Sequence, residues 1–187
     1  PEHVLRDAER AAREDLSAER ARRLDLTNKV IFTIDGEDSR DFDDAVSVEK
    51  RGKEYILGVH IADVSHYVKE GSAVDKEAFE RATSVYFPEK VAPMLPESLS
   101  NGACSLVEGE PRLTLSCIMQ VDGKGNAVKR TLAESVIKSS ARLTYTEAQR
   151  MLDGDEKARK QRPEVAAALD TMKELFEILS AKRTARG

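Results

Sequence analysis

Six carboxylates lie within ten consecutive residues of this chain, in the stretch 35–44. One base, Arg40, and one aromatic residue, Phe42, interrupt the run. The acids are Asp35, Glu37, Asp38, Asp41, Asp43 and Asp44. Like charges at this spacing repel one another, so a folded domain keeps them together only when something compensates. A divalent cation compensates best, because Asp oxygens are the hard ligands that magnesium and calcium prefer.

We therefore predict a metal site formed by Asp35, Asp41, Asp43 and Asp44. Asp41 and Asp43 share one side of an extended backbone and Asp44 faces the other, so a turn after Asp35 brings that carboxylate to the later three. Such a pocket holds one or two Mg²⁺ ions, or Mn²⁺, and leaves positions for phosphate and water. Two ions roughly 3.5–4 Å apart activate a water and stabilise the leaving oxygen in phosphodiester cleavage.

Two other interpretations of the acidic stretch are a solvated loop and a calcium-binding loop of the EF-hand type. A solvated loop explains most charge runs, but here predicted strands flank the run and Phe42 interrupts it. The EF-hand template, started at Asp41, requires Gly and Glu where this chain has Val46 and Gly52. The EF-hand is excluded, and the solvated loop remains an alternative.

The composition indicates a globular chain, with 40% hydrophobic and 34% charged residues. The acidic stretch holds six acids and one base, against a net charge of −4 for all 187 residues, so the rest of the chain is close to neutral. The acidity is thus local and does not exclude a nucleic-acid partner.

No apolar run is long enough to cross a bilayer, and the charged N-terminus lacks the apolar region of a signal peptide, so we expect a cytoplasmic protein with no membrane partner. Cys104 and Cys117 have no zinc-finger spacing and are predicted to be reduced, buried thiols.

The predicted strands and helices that position the acidic stretch form an α+β fold, with a mixed or antiparallel sheet at the core and helices at both ends. The apolar run Tyr55–Ala62 is predicted to be buried on both faces, and Ala78 and Phe79 to face inward from a short helix. Residues 1–25 form a predicted helical lead-in, and 26–187 the main domain. An irregular segment spans Tyr86–Ser105 and includes Pro88. The predicted strands are Val30–Ile34, Ala45–Val48, Tyr55–Val64, Leu113–Val121 and Ala127–Ser139; the predicted later helices are Asp75–Thr83, Thr146–Leu152 and 163–182. Turns at Lys50–Lys53 and Asp122–Asn126 are predicted to join the second and third strands, and the fourth and fifth, into hairpins.

Several separate motifs, in order from about residue 23 to residue 145, resemble the RNB catalytic domain of the ribonuclease R and ribonuclease II exoribonucleases, and ribonuclease R most closely. The first is Thr33-Ile34-Asp35 followed by Ser39-Arg40-Asp41-Phe42-Asp43-Asp44-Ala45. The others are Gly58–Val64, Thr83–Tyr86, Pro93–Pro96, Leu99-Ser100, Cys104–Leu106 and Ser139–Tyr145.

The resemblance implies a processive, magnesium-dependent hydrolase that degrades single-stranded RNA from the 3′ end to nucleoside 5′-monophosphates. It implies that Asp35 and Asp44 bind the metal at the scissile phosphate, that Asp41 completes the metal shell, and that Asp43 is the carboxylate most needed for cleavage. Tyr86 resembles the residue that stacks on the 3′-terminal base. Tyr145 resembles the tyrosine near the sugar that favours RNA over DNA. His60 and His66 are expected to be structural.

In the family the catalytic domain is longer, and it supplies a catalytic arginine and a second aromatic clamp residue. Cold-shock and S1 modules normally flank it. The resemblance therefore implies that this chain is the N-terminal part of an RNB domain, cut within the domain. A catalytically silent RNA- or protein-binding domain that keeps the fold is the alternative function.

Overall fold

The computed structural model describes residues 1–87 and 91–187. Seven strands form one mixed sheet and two short strands form a separate ladder. The strands are β1 Leu24–Asp25, β2 Phe32–Asp35, β3 Asp44–Arg51, β4 Glu54–Ala62, β5 Val85–Tyr86, β6 Val91–Ala92, β7 Pro111–Val121, β8 Ala127–Lys138 and β9 Ala141–Thr144. The helices are α1 Glu2–Ala12, α2 Ser17–Arg22, α3 Val64–Tyr67, α4 Ala73–Arg81, α5 Tyr145–Leu152, α6 Glu156–Gln161 and α7 Pro163–Arg186, with a π-helical turn at Ser98–Ala103. The predicted α+β class, with helices at both ends, is confirmed.

The sheet has the strand order β1-β8-β7-β4-β3-β2-β9. Both predicted hairpins, β3–β4 and β7–β8, are confirmed. In the second turn the Asp122 side chain accepts hydrogen bonds from the backbone N–H groups of Lys124 and Asn126, and Gly125 takes a φ of +77°. Asp side chains commonly accept hydrogen bonds from the backbone of a turn in this way, and Gly readily adopts a positive φ.

The edge strand β9 pairs with β2 in parallel, with Asp35 opposite Thr144. A parallel pair needs a long connection, and here the connection is the whole β3–β8 meander. The sequence pattern did not predict this pairing. It brings the start of α5 beside the end of β2, where the acidic stretch begins.

Two apolar clusters pack against the sheet. One lies beneath α1, α3, α4 and the π-helical turn, and it contains Ile31, Phe42 and Leu99. The other lies beneath α5 and α7, and it contains Phe32 and Leu143. Since consecutive strand residues face opposite sides of a sheet, Ile31 and Phe32 serve different clusters. The segments that flank the acidic stretch are therefore anchored on both sides.

Two predictions of burial are wrong. Phe79 is 87% exposed, because α4 packs through Val74 and Ala78, which lie one helical turn apart on another face. In the run Tyr55–Ala62, Ile61 is 45% exposed, because the helices on that side cover Leu57 and leave the end of the strand open.

The remaining predictions concern single segments. The irregular segment Tyr86–Ser105 contains the last residue of β5, all of β6 and the π-helical turn, and its Pro88 lies outside the described residues. Both cysteines are free thiols, Cys104 buried and Cys117 partly buried. Within the described ranges, no helix has the length and apolar character to span a membrane.

Candidate functional site

The acidic loop, residues 36–43, connects the end of β2 to the start of β3. The two strands are antiparallel neighbours, with Phe32 opposite Val46. Their adjoining ends carry Asp35 and Asp44, so the carboxylates that bracket the loop lie on adjacent strands. The loop itself has no regular secondary structure, and β3 begins only at Asp44.

Buried polar contacts hold the C-terminal half of the acidic loop. The hydroxyl of Ser105 accepts a hydrogen bond from the Phe42 N–H (3.1 Å) and donates one to the Arg40 carbonyl (2.7 Å). Ser105 is fully buried. The Leu106 N–H donates to the Phe42 carbonyl and the Ala62 N–H to the Asp43 carbonyl, both at 2.9 Å. These bonds fix the backbone of the last four loop residues.

Arg142 on β9 holds the N-terminal half of the loop. Its Nη2 donates to the carbonyls of Gly36 (2.6 Å) and Glu37 (2.7 Å). Its guanidinium carbon lies 5.5 Å from the centre of the Phe42 ring. No role for Arg142 or Ser105 was predicted from the sequence, although both fall within motifs that resemble the RNB domain. The one sequence feature that could have indicated a role for Arg142 is its position between the apolar residues Ala141 and Leu143 of a strand.

The charges of the acidic side chains act on one another. Burial, and after it the charge of Asp44, raises the pKa of Asp35, while Thr33 and Arg142 oppose the rise. Desolvation, and then the charges of Asp41 and Asp44, raise the pKa of Asp43, although Asp43 is still exposed at the surface. Repulsion of this kind is the cost that a bound cation removes.

Oδ2 of Asp35 is buried and has no hydrogen-bond partner within the described part of the chain. A buried, unpaired carboxylate oxygen is costly, and its presence next to further carboxylates fits a hard divalent cation. Among residues 1–87 and 91–187, however, no three side chains of His, Cys, Asp or Glu are grouped closely enough to hold a metal ion. The donor chemistry therefore fits magnesium, while the conformation described does not close a coordination shell.

Two exposed tyrosines flank the acidic loop. Tyr86 is 66% exposed, and its hydroxyl donates a hydrogen bond to Oδ2 of Asp41 at 3.0 Å. This bond raises the pKa of Tyr86. Tyr145 is also 66% exposed and begins α5 directly after Thr144, the residue paired with Asp35. Both rings have surface available for a flat ligand beside the carboxylates.

The two histidines singled out in the sequence lie away from solvent. His60 is 1% exposed, and its ring nitrogens lie 3.0 Å from the Ser47 hydroxyl and 2.6 Å from that of Ser116. Burial lowers the pKa of His60 to about 4, so the ring is neutral at pH 7. His66 is buried in α3. Glu37 contributes a backbone carbonyl to Arg142, and its carboxylate accepts a hydrogen bond from Thr146 at 3.4 Å.

A model of the RNB domain family matches residues 23–187 of this chain. The chain is 50% identical over 192 aligned residues to ribonuclease R of Thermotoga maritima, covering all of this chain and 26% of the relative. It also aligns over its whole length with 29% of a solved Mycoplasma genitalium RNase R in complex with ribose methylated single-stranded RNA, at a TM-score of 0.90 and 30% identity. Yeast Ssd1, described as a pseudonuclease, matches at a TM-score of 0.73 and 26% identity, covering 89% of this chain and 20% of Ssd1. The chain spans about a quarter of the length of the curated relatives it matches.

Proposed function

This chain belongs to the RNB domain family, and on that premise we propose that it carries the acidic site of a magnesium-dependent exoribonuclease. The reaction is the hydrolysis of single-stranded RNA from its 3′ end to nucleoside 5′-monophosphates. The observation that supports it most directly is the contact of the exposed Tyr86 with Asp41, which joins an aromatic platform to the acidic loop. Stacking on any base beside a row of carboxylates suits a nuclease without sequence preference.

Asp35, Asp41 and Asp44 are the residues that would hold the cation. They come from the end of β2, the acidic loop and the start of β3. The buried, unpartnered Oδ2 of Asp35 is the best-prepared ligand among them, since within the described residues nothing else satisfies it. When bound, magnesium supplies Lewis acidity toward the phosphate and a water.

Asp43 is the proposed proton acceptor. Its carboxylate is exposed, so water and substrate reach it, and its raised pKa makes it a stronger base than an ordinary aspartate. In the step, a carboxylate oxygen of Asp43 takes a proton from the attacking water. The water oxygen forms the new bond to phosphorus, and the bond from phosphorus to the 3′-oxygen of the preceding nucleotide breaks; that oxygen takes a proton from solvent and becomes the 3′-hydroxyl of the shortened RNA. The terminal nucleotide leaves as a 5′-monophosphate.

Tyr86 and Tyr145 are the proposed RNA contacts. The ring of Tyr86 takes the terminal base, and Tyr145 lies near the ribose, where the 2′-hydroxyl is the group that distinguishes RNA from DNA. Relatives support an RNA substrate, because solved RNase R structures hold single-stranded and double-stranded RNA. In the whole protein we propose flanking cold-shock and S1 modules, with residues 1–25 as a helical lead-in and 26–187 as the N-terminal part of the catalytic domain.

The test is the digestion of 5′-labelled single-stranded RNA by the full-length protein with magnesium. Mononucleotides released from the 3′ end, with the label released last, are the expected products. Asp43→Asn removes the proton acceptor and should abolish release. Asp38→Asn is the matched control, since Asp38 is an exposed acid of the same loop. Intact RNA, or equal rates for the two variants, would refute the proposal.

The alternative is a domain that binds RNA or protein without cleavage. It is favoured by the lack, within the described residues, of any three grouped metal ligands, and by the match to a pseudonuclease. It predicts RNA binding that is indifferent to EDTA and no release of nucleotides. The intact set of four aspartates favours the enzyme.

A further inference from the structure

Arg142 lies on β9 directly opposite Thr33 of β2. Paired residues of parallel strands face the same side, so Arg142, Thr33 and, two residues on, Asp35 share one side of the sheet. From that position the guanidinium reaches across the end of β2. It binds the carbonyls of Gly36 and Glu37, the first two residues of the acidic loop.

The same guanidinium covers the other end of the loop. It lies over the ring of Phe42, with 5.5 Å between the guanidinium carbon and the ring centre. Phe42 is buried and directly precedes Asp43. One planar cation thus touches the residue after Asp35 and the residue before Asp43, and it restricts how far apart these two acids lie in space.

Arginine is suited to these contacts in a way that lysine is not. Its Nη2 donates to both carbonyls while the face of the guanidinium lies over an aromatic ring, whereas an ammonium can donate but has no planar face to stack. Nε of Arg142 is buried and, in the described part of the chain, has no hydrogen-bond partner. A buried unpaired donor is unfavourable, so a residue that only had to fill space here would be better replaced by an apolar one.

We infer that Arg142 is a positioning residue, which holds both halves of the acidic loop and so limits where its carboxylates lie when metal binds and RNA is cleaved. The inference rests on the proposed function for its effect on the reaction. The part of the inference that concerns structure, that Arg142 orders residues 36–43, can be tested without any measurement of activity. Arg142 itself takes no part in bond making; it acts through Gly36, Glu37 and Phe42.

The experiment uses Arg142→Lys and Arg142→Ala in the full-length protein. Arg159→Lys and Arg159→Ala are the matched controls, because Arg159 also donates to a backbone carbonyl, that of Met151, and its remaining side-chain bonds go to Asp170. Hydrogen exchange of the amides in residues 36–43 is followed by mass spectrometry. In parallel, kcat and KM are measured on single-stranded RNA with magnesium, with and without added guanidinium ion.

The amides of the acidic loop should exchange faster in both Arg142 variants, while the β3–β4 and β7–β8 strands keep their protection. Arg142→Lys should lower kcat by about 100-fold, the cost typical of a small misplacement of reacting groups, with little change in KM. Guanidinium should restore part of the kcat of Arg142→Ala, and methylammonium should not. The Arg159 variants should match the wild type in all three readouts.

Loop exchange in Arg142→Lys equal to that of the wild type, or a loss of kcat shared by the Arg159 variants, would overturn the inference. If Arg142→Ala does not fold, Arg142→Lys, which keeps the charge and most of the volume, decides on exchange and kcat alone. A wild-type protein that hydrolyses no RNA refutes the proposed function instead. The exchange measurement then still decides whether Arg142 orders the loop.

Discussion

The hydroxyl of Tyr86 and Oδ2 of Asp41 are joined by a hydrogen bond of 3.0 Å. The bond uses only the edge of the ring, and the tyrosine stays 66% exposed. A base that stacks on the ring face and a carboxylate that accepts from its hydroxyl can therefore share one side chain. Under the proposed function, binding of RNA and the placement of Asp41 would be linked through Tyr86.

Replacement of Tyr86 by Phe and by Ala separates the two contacts. Tyr86→Phe keeps the stacking face and should bind single-stranded RNA nearly as well as the wild type. Tyr86→Ala loses the face, and its affinity should fall by about ten- to hundredfold, the range expected for one stacked base. Fluorescence anisotropy in an Asp43→Asn background measures binding without cleavage. Phe176→Ala, at an exposed aromatic residue of α7, is the control; an equal loss there would argue against a role for Tyr86.

Asp35→Asn should change stability in opposite directions with and without metal. The folded-state pKa of Asp35 is raised above 3.8, so the stability that this group contributes is present below that pH and is lost as the pH rises through the folded-state pKa. In EDTA at pH 7 the Asn variant should therefore melt at a higher temperature than the wild type, and the difference should disappear on acidification. Saturating magnesium or manganese, at 100 times Kd, should stabilise only the wild type, by about 2.7 kcal/mol, and reverse the order. Thermal melts that keep one order in both buffers would contradict this, and Asp38→Asn serves as the exposed control.

His60 should make the fold sensitive to acid. Burial lowers its pKa from 6.5 to about 4, so the unfolded chain binds a proton in this window and the folded chain does not. The free energy of unfolding is therefore highest above pH 6.5, and the titration of His60 lowers it as the pH falls toward 4, by about 3 kcal/mol at most. His60→Gln lacks this titration. Denaturant unfolding at pH 7 and at pH 4.5 should show a smaller loss for that variant than for the wild type or for His3→Gln, which alters an exposed histidine.

Gly58→Ala should destabilise the sheet. A Cβ at this position would lie 2.4 Å from the Ser47 hydroxyl oxygen and 2.7 Å from Nε2 of His60, so it would break the hydrogen bond between them. We expect a loss of about 1–3 kcal/mol in the free energy of unfolding, as for other overpacked cores. Gly102→Ala, whose Cβ would meet only the Glu97 carbonyl at 3.7 Å, should be near neutral. Chemical denaturation of the two variants gives the comparison, and equal midpoints would contradict the prediction.

Local patterns in the sequence predicted the local parts of the fold. The turn around Asp122 and Gly125, and the helix that starts at Pro163, follow from residue types whose backbone preferences are strong. The exposure of Phe79 and Ile61 could not be predicted from local patterns, because it depends on which helix covers which part of the sheet. The pairing of β2 with β9 was missed because the two strands are far apart in the sequence, and no local pattern indicates which distant strands will be neighbours.

At the candidate site, the carboxylates were visible in the sequence and the residues that hold them were not. A run of acids is conspicuous at short range, whereas Ser105 and Arg142 reach the loop from far along the chain. The metal ligands and the RNA contacts assigned to Asp35, Asp41, Asp43, Asp44, Tyr86 and Tyr145 stay predictions. The structure adds that hydrogen bonds from Arg142 and Ser105 hold the two halves of the loop between Asp35 and Asp44.

The pairing of β2 with β9 also bears on when the loop becomes ordered. Arg142 lies 106 positions after Gly36, so the contact between them closes a long loop of chain and has a correspondingly high entropic cost. During translation, the acids leave the ribosome well before the arginine that clamps them has been synthesised. A nascent chain therefore displays its carboxylates on an unclamped loop until the residues up to Arg142 have been synthesised.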